Sequence, residues 1–561
     1  MTIYILFTMG IPSYFSYIIK NYSNIIRQIR DIPNVNGIRF QYLLMDCNSI
    51  IYDEFRKMEC ERNGAAYIPD EMENTLIRNV SKKISEYIGF IKPTKLVYIA
   101  FDGVAPLAKM EQQRTRRYKG GVLSKMNAII SSKSSSDNAW STSNITPGTS
   151  FMKKLTKQIG NSFSGLEKHY GVEHIIVSGT DKCGEGEHKM FQHLRESSIT
   201  SSDTVAVYGL DSDLIMLSVF HCKYANNIFI FREKPEFGKQ LIPSSINGDD
   251  NECLFMNIQT FSRAILDEMK CDTHDTHRLY DYIFMCFFLG NDFLPHFPSL
   301  NIRTTGIDTL LTTYRNLIGK YGDRSFISLD KTINWKWVSL FIKELAKCEH
   351  ERLLEEYVLR DKWGKRKWLA DTDENRDFTV QSVPVIYRAE EGYIAPSERY
   401  WEQRYYKSLF HGDVSVDSVC TNYLEGLEWV FKYYTVTCPH WKWRYQYNYP
   451  PLLADLAKNV PAGQHDFIMS DATNAPFSEY VQLAYVLPPA NHGLLPAHVK
   501  TELDRSYSHC SASDFSFQWA FCRYFWEAHA ILPEVSVDVL QEWDKKWSLV
   551  PKKGRPAKNR I

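Results

Sequence analysis

Apolar runs that stop at an acid recur along the first half of the chain. Residues 40–46 pass through Leu43, Leu44 and Met45 to Asp46, and residues 95–102 pass through Val97 and Ile99 to Asp102. Residues 175–179 and 205–211 repeat the form, the latter leading into Asp211 and Asp213. Short apolar runs bounded by glycine read as strands buried on both faces. Between them Leu76, Val80, Ile84 and Ile88 repeat at helical spacing, and further helices are expected over 150–169 and from His188 to Arg195. Strand and helix alternate, which predicts an α/β fold: a mostly parallel central sheet flanked by helices. Residues 227–231 add another strand. A helix from 14 to about 29, capped by Ser13 and with Phe15, Ile18, Ile19 and Ile25 inward, is expected after an extension over residues 1–8. Residues 280–292 are apolar and end at Asp292, but their period does not decide between helix and strand.

Past about residue 330 the texture changes. Tryptophans crowd in at 335, 337, 363, 368, 401, 429, 441 and 443, and helical spacing dominates 335–360 and 421–435. This predicts a second, α-rich region packed against the first, its aromatics mostly core. The expected division is a first domain over 9–330, interrupted by a flexible serine-rich loop at about 120–143, a helical region over 331–545, and a basic tail over 546–561.

Composition narrows the function. The 66 basic and 66 acidic residues cancel, so any polyanion site is a local patch. The 12 cysteines include no C-x-x-C pair, which argues against zinc and a disulfide framework and fits a reducing, intracellular setting, with the cytoplasm favoured over the nucleus. No apolar run is long enough to span a bilayer, and the first residues lack the basic flank and cleavage site of a signal peptide.

Chemistry collects outside the carboxyl ends of parallel strands. Seven acids stand at such ends or just beyond them: Asp46, Asp102, Glu185, Glu187, Asp211, Asp213 and Asp292. Two like charges 4 Å apart repel by about 4 kcal/mol at an effective dielectric of 20, so such a cluster calls for divalent cations. All-oxygen ligands select Mg²⁺ or Mn²⁺, and two ions roughly 4 Å apart are the usual clamp for phosphodiester hydrolysis. Residues 109–119 carry five basic residues against one acid. On a helix, Lys109, Gln113, Arg116 and Arg117 share a face, and that donor set suits phosphate.

The motifs then become specific. Met9-Gly-Ile-Pro, Asp46-Cys-Asn-Ser, residues 101–106 and 109–117, Asn144-Ile-Thr-Pro-Gly, Gly184-Glu-Gly-Glu-His-Lys, residues 208–216 and Gly290-Asn-Asp-Phe-Leu-Pro-His resemble the XRN family of 5′→3′ exoribonucleases, as do residues 425–430 and 438–443 further on. The resemblance runs from about residue 9 to 545. It implies processive removal of mononucleotides from single-stranded RNA bearing a 5′-monophosphate. It places Glu185, Glu187 and Asp211 near a first metal, Asp213 and Asp292 nearer a second, and Asp46 and Asp102 around them. Lys109, Gln113, Arg116 and Arg117 match the pocket that grips the 5′-phosphate, and Trp441 matches an aromatic that stacks on the first bases. Tyr52 stands where the family commonly has a histidine, so it keeps the stacking surface without the charge. The expected enzyme is a monomer with RNA as its partner and no membrane association. A flap-type endonuclease and a catalytically silent RNA-binding scaffold are the rival classes. An intact circular RNA separates exonuclease from endonuclease, and a scaffold degrades nothing.

Overall fold

The computed structural model describes residues 13–34, 37–61, 69–130, 140–225, 227–233, 253–271, 275–410, 412–469 and 474–548. The extension over 1–8, the Met9 motif, the serine run over 131–139 and the basic tail from 549 lie outside them.

Seven strands form one sheet: β1 (Ile26–Arg27), β2 (Tyr42–Asp46), β3 (Leu96–Ala100), β4 (His174–Ser178), β5 (Thr204–Tyr208), β6 (Asn227–Arg232) and β7 (Leu254–Asn257), in the order β1-β7-β6-β5-β2-β3-β4. β4, β3, β2, β5 and β6 run parallel, while β7 pairs antiparallel with β6 and β1 with β7. Each parallel strand is an apolar run, and its side chains alternate between two cores. Leu44, Tyr98, Val207 and Ile230 face one cluster, built with the helices Gly186–Glu196, Asp213–His221, Arg278–Cys286 and Val416–Thr435. Leu43, Met45, Val97, Ile99, Ala206 and Phe229 face the other, under Asn48–Glu61, Pro69–Ile91 and Ser150–Phe163. The in-register pairing of Asp46 with Ala100, and of Ala100 with Ser178, brings the carboxyl ends of neighbouring strands to one edge.

Three expectations are corrected, and the undecided stretch is resolved. The first helix is Tyr14–Asn21, and Ser13 sits in the left-handed region without capping it. Its supposed continuation turns instead, and Ile26 pairs with Met256 in the sheet edge. Residues 120–130 are not loop: the basic helix runs from Leu107 to Ile130, because Leu123 buries against Phe525 and Ala528. The expected helix over 150–169 is two, Ser150–Phe163 and Glu167–Tyr170. The undecided stretch is the helix Arg278–Cys286 followed by a tight turn at Phe287–Leu289, so Asp292 arrives from a loop and not from a strand.

The α-rich region shares the first core. Trp335, Tyr423, Leu427, Trp429 and Phe431 are buried in the same cluster as Leu214 and Phe284. Further out, a short hairpin of β8 (Ser516–Gln518) and β9 (His529–Ile531) is tied in by a buried ion pair. Arg360 donates to both carboxylate oxygens of Glu391, at 2.9 and 2.6 Å, and to the Cys522 carbonyl at 2.9 Å, while Glu391 accepts from the Phe521 N–H at 2.9 Å. Removing one partner of such a pair strands a charge in the core. Glu391→Gln is therefore expected to lower unfolding stability by about 3–5 kcal/mol, read from urea denaturation. An unchanged midpoint would mean that the pair does not hold the hairpin to the helices.

Candidate active site

The sheet edge and the helices behind it bring the seven acids together. Asp46 ends β2, Asp102 follows β3, and Asp211 and Asp213 follow β5. Glu185 precedes the Gly186–Glu196 helix and Glu187 lies in its first turn. Gly186 lets Asp46 come close: a Cβ there would stand 2.8 Å from Asp46 Oδ1 and push that carboxylate out of place. The Gly186 N–H donates to Asp102 Oδ1 at 2.7 Å, so the buried start of that helix meets a carboxylate. Asp46, Glu187 and Asp211 each place an oxygen within 4.8 Å of the others, and Glu185, Glu187 and His188 do the same.

Burial and mutual repulsion push these carboxyls upward. Burial first, then Asp102 and Asp211, hold Asp46 well above the usual carboxylate range. Glu187 is raised by burial and by Glu185, and Asp213 by burial and by Asp292. Asp211 is pushed up to about 6, mainly by burial. The counter-charge is Lys109. Burial alone would lower its ammonium, but Asp292, Glu185, Glu187 and Asp213 together carry it well above the ordinary value. Its Nζ pairs with Glu185 and lies 2.7 Å from Asp292 Oδ2.

Two phenols add neutral donors. Tyr433 donates to Glu185 Oε1 at 2.7 Å, and Tyr434 bonds Asp213. Both belong to Val416–Thr435, so the second region supplies part of the site. His188 stacks on Tyr433 with ring centroids 3.7 Å apart, and burial keeps it neutral. The sequence reading missed the tyrosine pair. Its signal was the spacing of Trp429 and Tyr433 on the inward face of that helix, which reads equally as core.

The predicted basic face holds together, with divided roles. Lys109 lies inside the acid cluster. Gln113 is buried, its Oε1 without a protein partner. Arg117 is lowered to about 10, chiefly by burial, and bonds Tyr52. Arg116 is close enough to Asp211 to act on its charge. The other cations of the run are structural. Arg114 donates to the Cys510 and Pro533 carbonyls, both at 3.0 Å, and Lys119 to those of Trp526 and Ala528, at 2.7 and 2.6 Å. The Trp441 carbonyl accepts from the Leu107 N–H at 2.8 Å, which sets that tryptophan at the start of the basic helix. Neither Tyr52 nor Trp441 packs its ring on another ring among the described residues.

The donor set is all oxygen apart from His188, and buried Asp213 Oδ1 has no protein partner. Such a set fits a hard divalent cation. With no cation supplied, the raised carboxyls make the folded state bind protons more tightly than the unfolded one. Their protonation contributes stability that is present at low pH and lost as pH rises through the folded value, about 6 for Asp211. In chelated protein, Asp211→Asn should melt higher than the unmutated chain at pH 7.5, and the gap should close as pH falls below about 6. A gap that stays constant with pH would show that Asp211 is not held in a repelling cluster.

Comparison with known proteins adds the lineage. Residues 9–234 match the family model described as XRN 5′-3′ exonuclease N-terminus, and residues 273–396 and 388–547 match the Xrn1 helical domain. The chain is 25% identical to the 5′-3′ exoribonuclease 2 homolog of Drosophila melanogaster, over 94% of this chain and 70% of that protein. It is 25% identical to human 5′-3′ exoribonuclease 1, over 95% of this chain and 34% of that protein. To 5′-3′ exoribonuclease 1 of Saccharomyces cerevisiae it is 26% identical, over 87% of this chain and 40% of that protein.

Proposed function

The chain belongs to the XRN family of 5′–3′ exonucleases, and on that premise we propose that it degrades single-stranded RNA bearing a 5′-monophosphate, one nucleotide at a time from that end. The observation that carries the reading is the meeting of two features in one place. Seven carboxylates gather at the sheet edge, and the Leu107–Ile130 helix brings Lys109 into their cluster and Arg116 within reach of Asp211, with Gln113 and Arg117 on the same face. The family is metal-dependent, and the acids suit Mg²⁺ or Mn²⁺, two ions in our reading. Glu185, Glu187 and Asp211 would hold one and Asp213 and Asp292 the other, with Asp46 and Asp102 around them. When bound, the ions supply Lewis-acid activation of water and of the scissile phosphate.

The chain's own residues do the rest. Arg116 and Arg117 offer forked donors and Gln113 an amide to the terminal phosphate, whose charge is close to two at neutral pH. Lys109 Nζ, which balances the acids here, would be released to the same phosphate once their charge is balanced by bound ions. Tyr433 and Tyr434 hold Glu185 and Asp213 in place and exclude water behind them. Tyr52 and Trp441 stack on the first bases, an interaction worth about 1–3 kcal/mol per base and indifferent to sequence. Fixing the terminal phosphate leaves only the first phosphodiester within reach of the acids, so each cut exposes the next 5′-phosphate and direction follows. The described residues include no helix long and apolar enough to cross a membrane. The enzyme acts as a monomer in this reading, inside the cell and in the cytoplasm rather than the nucleus.

The test uses one RNA with a 5′-monophosphate, a 5′-hydroxyl or a circular backbone. The monophosphate form should decay fastest and the circle should persist. Asp213→Asn should slow decay by at least about two orders of magnitude, since positioned ions supply several kcal/mol. Arg116→Ala with Arg117→Ala should erase the preference for the phosphate. Equal rates on both linear ends would overturn the end-recognition reading, and cleavage of the circle would establish an endonuclease.

A further inference from the structure

A cavity of about 310 Å³ abuts the acid cluster on another flank of the basic helix. Arg116 and Asp292 form part of its wall, while Tyr52, Arg117 and Trp441 do not line it. Its size falls at the lower end of small-molecule sites, about 300–1,000 Å³. The functional reading above leaves it unassigned.

The cavity is polar, and its cations other than Arg116 are already engaged. At its rim Arg303 pairs with Glu527 at 2.5 Å, Arg444 pairs with Glu111, and Lys119 is held by two carbonyls. Two imidazoles line it, and burial lowers both, His296 to about 4 and His529 to about 3, so they stay neutral at physiological pH. Tyr445, Tyr447 and Tyr449 supply ring surface. In this arrangement of paired ions the counter-charge for a phosphate is Arg116, on the wall shared with the acid cluster. A flat, uncharged ring does find a wall to lie against.

Three buried polar atoms on the lining lack a protein partner: Gln112 Oε1, an acceptor, Asn291 Nδ2, a donor, and the Tyr449 hydroxyl, which can act as either. The Asn291 amide cannot turn to hide its donor, because its Oδ1 accepts from the Phe293 and Leu294 N–H groups, both at 2.9 Å. Leaving such atoms unsatisfied is costly, so the site suits a ligand that brings at least one donor and one acceptor on an apolar frame, with a further polar atom for the Tyr449 hydroxyl. The edge of a nucleobase does this.

We propose that the cavity binds the nucleobase of the mononucleotide just released, a product subsite beside the acid cluster. The inference rests on the nuclease reading for the identity of that product, and on the shared wall at Arg116 and Asp292 for its delivery.

Nucleosides test it, because without a phosphate they are independent of the basic face. Adenosine, guanosine, cytidine and uridine are titrated into the full-length chain without divalent ions, and binding is followed by calorimetry. At least one should bind saturably. Gln112→Met should weaken it at least about tenfold, as loss of a buried hydrogen bond does. Thr115→Trp should fill the cavity and abolish binding, while Tyr52→Ala should leave it unchanged, with all three variants checked for an unaltered melting point. Inhibition of RNA decay by added nucleoside 5′-monophosphates should weaken in Gln112→Met by the same factor, with the single-turnover rate of the first cut preserved. Absence of saturable binding, or binding lost in Tyr52→Ala and kept in Gln112→Met, overturns the subsite. Nucleoside binding by a chain that cuts no RNA would leave the base subsite standing and remove the nuclease reading instead.

Discussion

Repulsion among seven carboxylates gathered at one sheet edge is the constraint on which the rest of this protein depends. In water such acids would simply separate. Here Asp46 and Asp213 are fixed by buried strand and helix backbone, and burial weakens the screening between them. The fold meets the strain with Lys109, with tyrosine donors and with a helix N-terminus aimed at Asp102. Each of these is a partial remedy for a charge excess that divalent cations would remove. The site is thus held in tension by the scaffold, and its acids could hold a metal ion.

That tension explains the second region. Tyr433 and Tyr434 come from the Val416–Thr435 helix, and the shared core with Phe284 and Leu214 makes their position rigid. The basic helix is anchored from the same side. Its far flank carries Arg114 over the Tyr485 ring at 4.8 Å and on two carbonyls, and the Ala105 N–H, just before its start, donates to Gln482 at 2.9 Å. Anchoring through Arg114 and Lys119 leaves Arg116 and Arg117 for the terminal phosphate proposed above. A run of like charges on one helix is therefore divided between holding the fold and serving the site.

Much of this was legible in the sequence because strand burial and chemistry coincide. Apolar runs such as 40–46 and 95–102 become strands under almost any packing, and the acids that end them can only reach one edge. Asp292 was legible as an acid after an apolar run, but its local structure was not, since helix and strand have the same signature when every side is buried, as it is over Arg278–Cys286. The edge strands β1 and β7 are too short to show a period. Residues 120–130 read as loop from the serine-rich stretch they lead into and the lack of an apolar period, and become helix because Leu123 finds the distant residues Phe525 and Ala528. Tertiary contact overrode local preference there. The role of Lys109 was hidden for a related reason: sequence shows a cation on a basic face, and only the packed structure shows which acids it meets.

The central claim is that the acid cluster is a divalent-cation site whose charge Lys109 balances in the absence of ions. Titrating chelated protein with Mn²⁺ at neutral pH, with free ion followed by electron paramagnetic resonance, tests it most directly. The account predicts saturable binding that Asp46→Asn and Asp211→Asn each weaken at least about tenfold, as loss of a charged ligand requires, and that Lys109→Met strengthens. Absence of saturable binding, or binding that survives both aspartate substitutions unchanged, would contradict it.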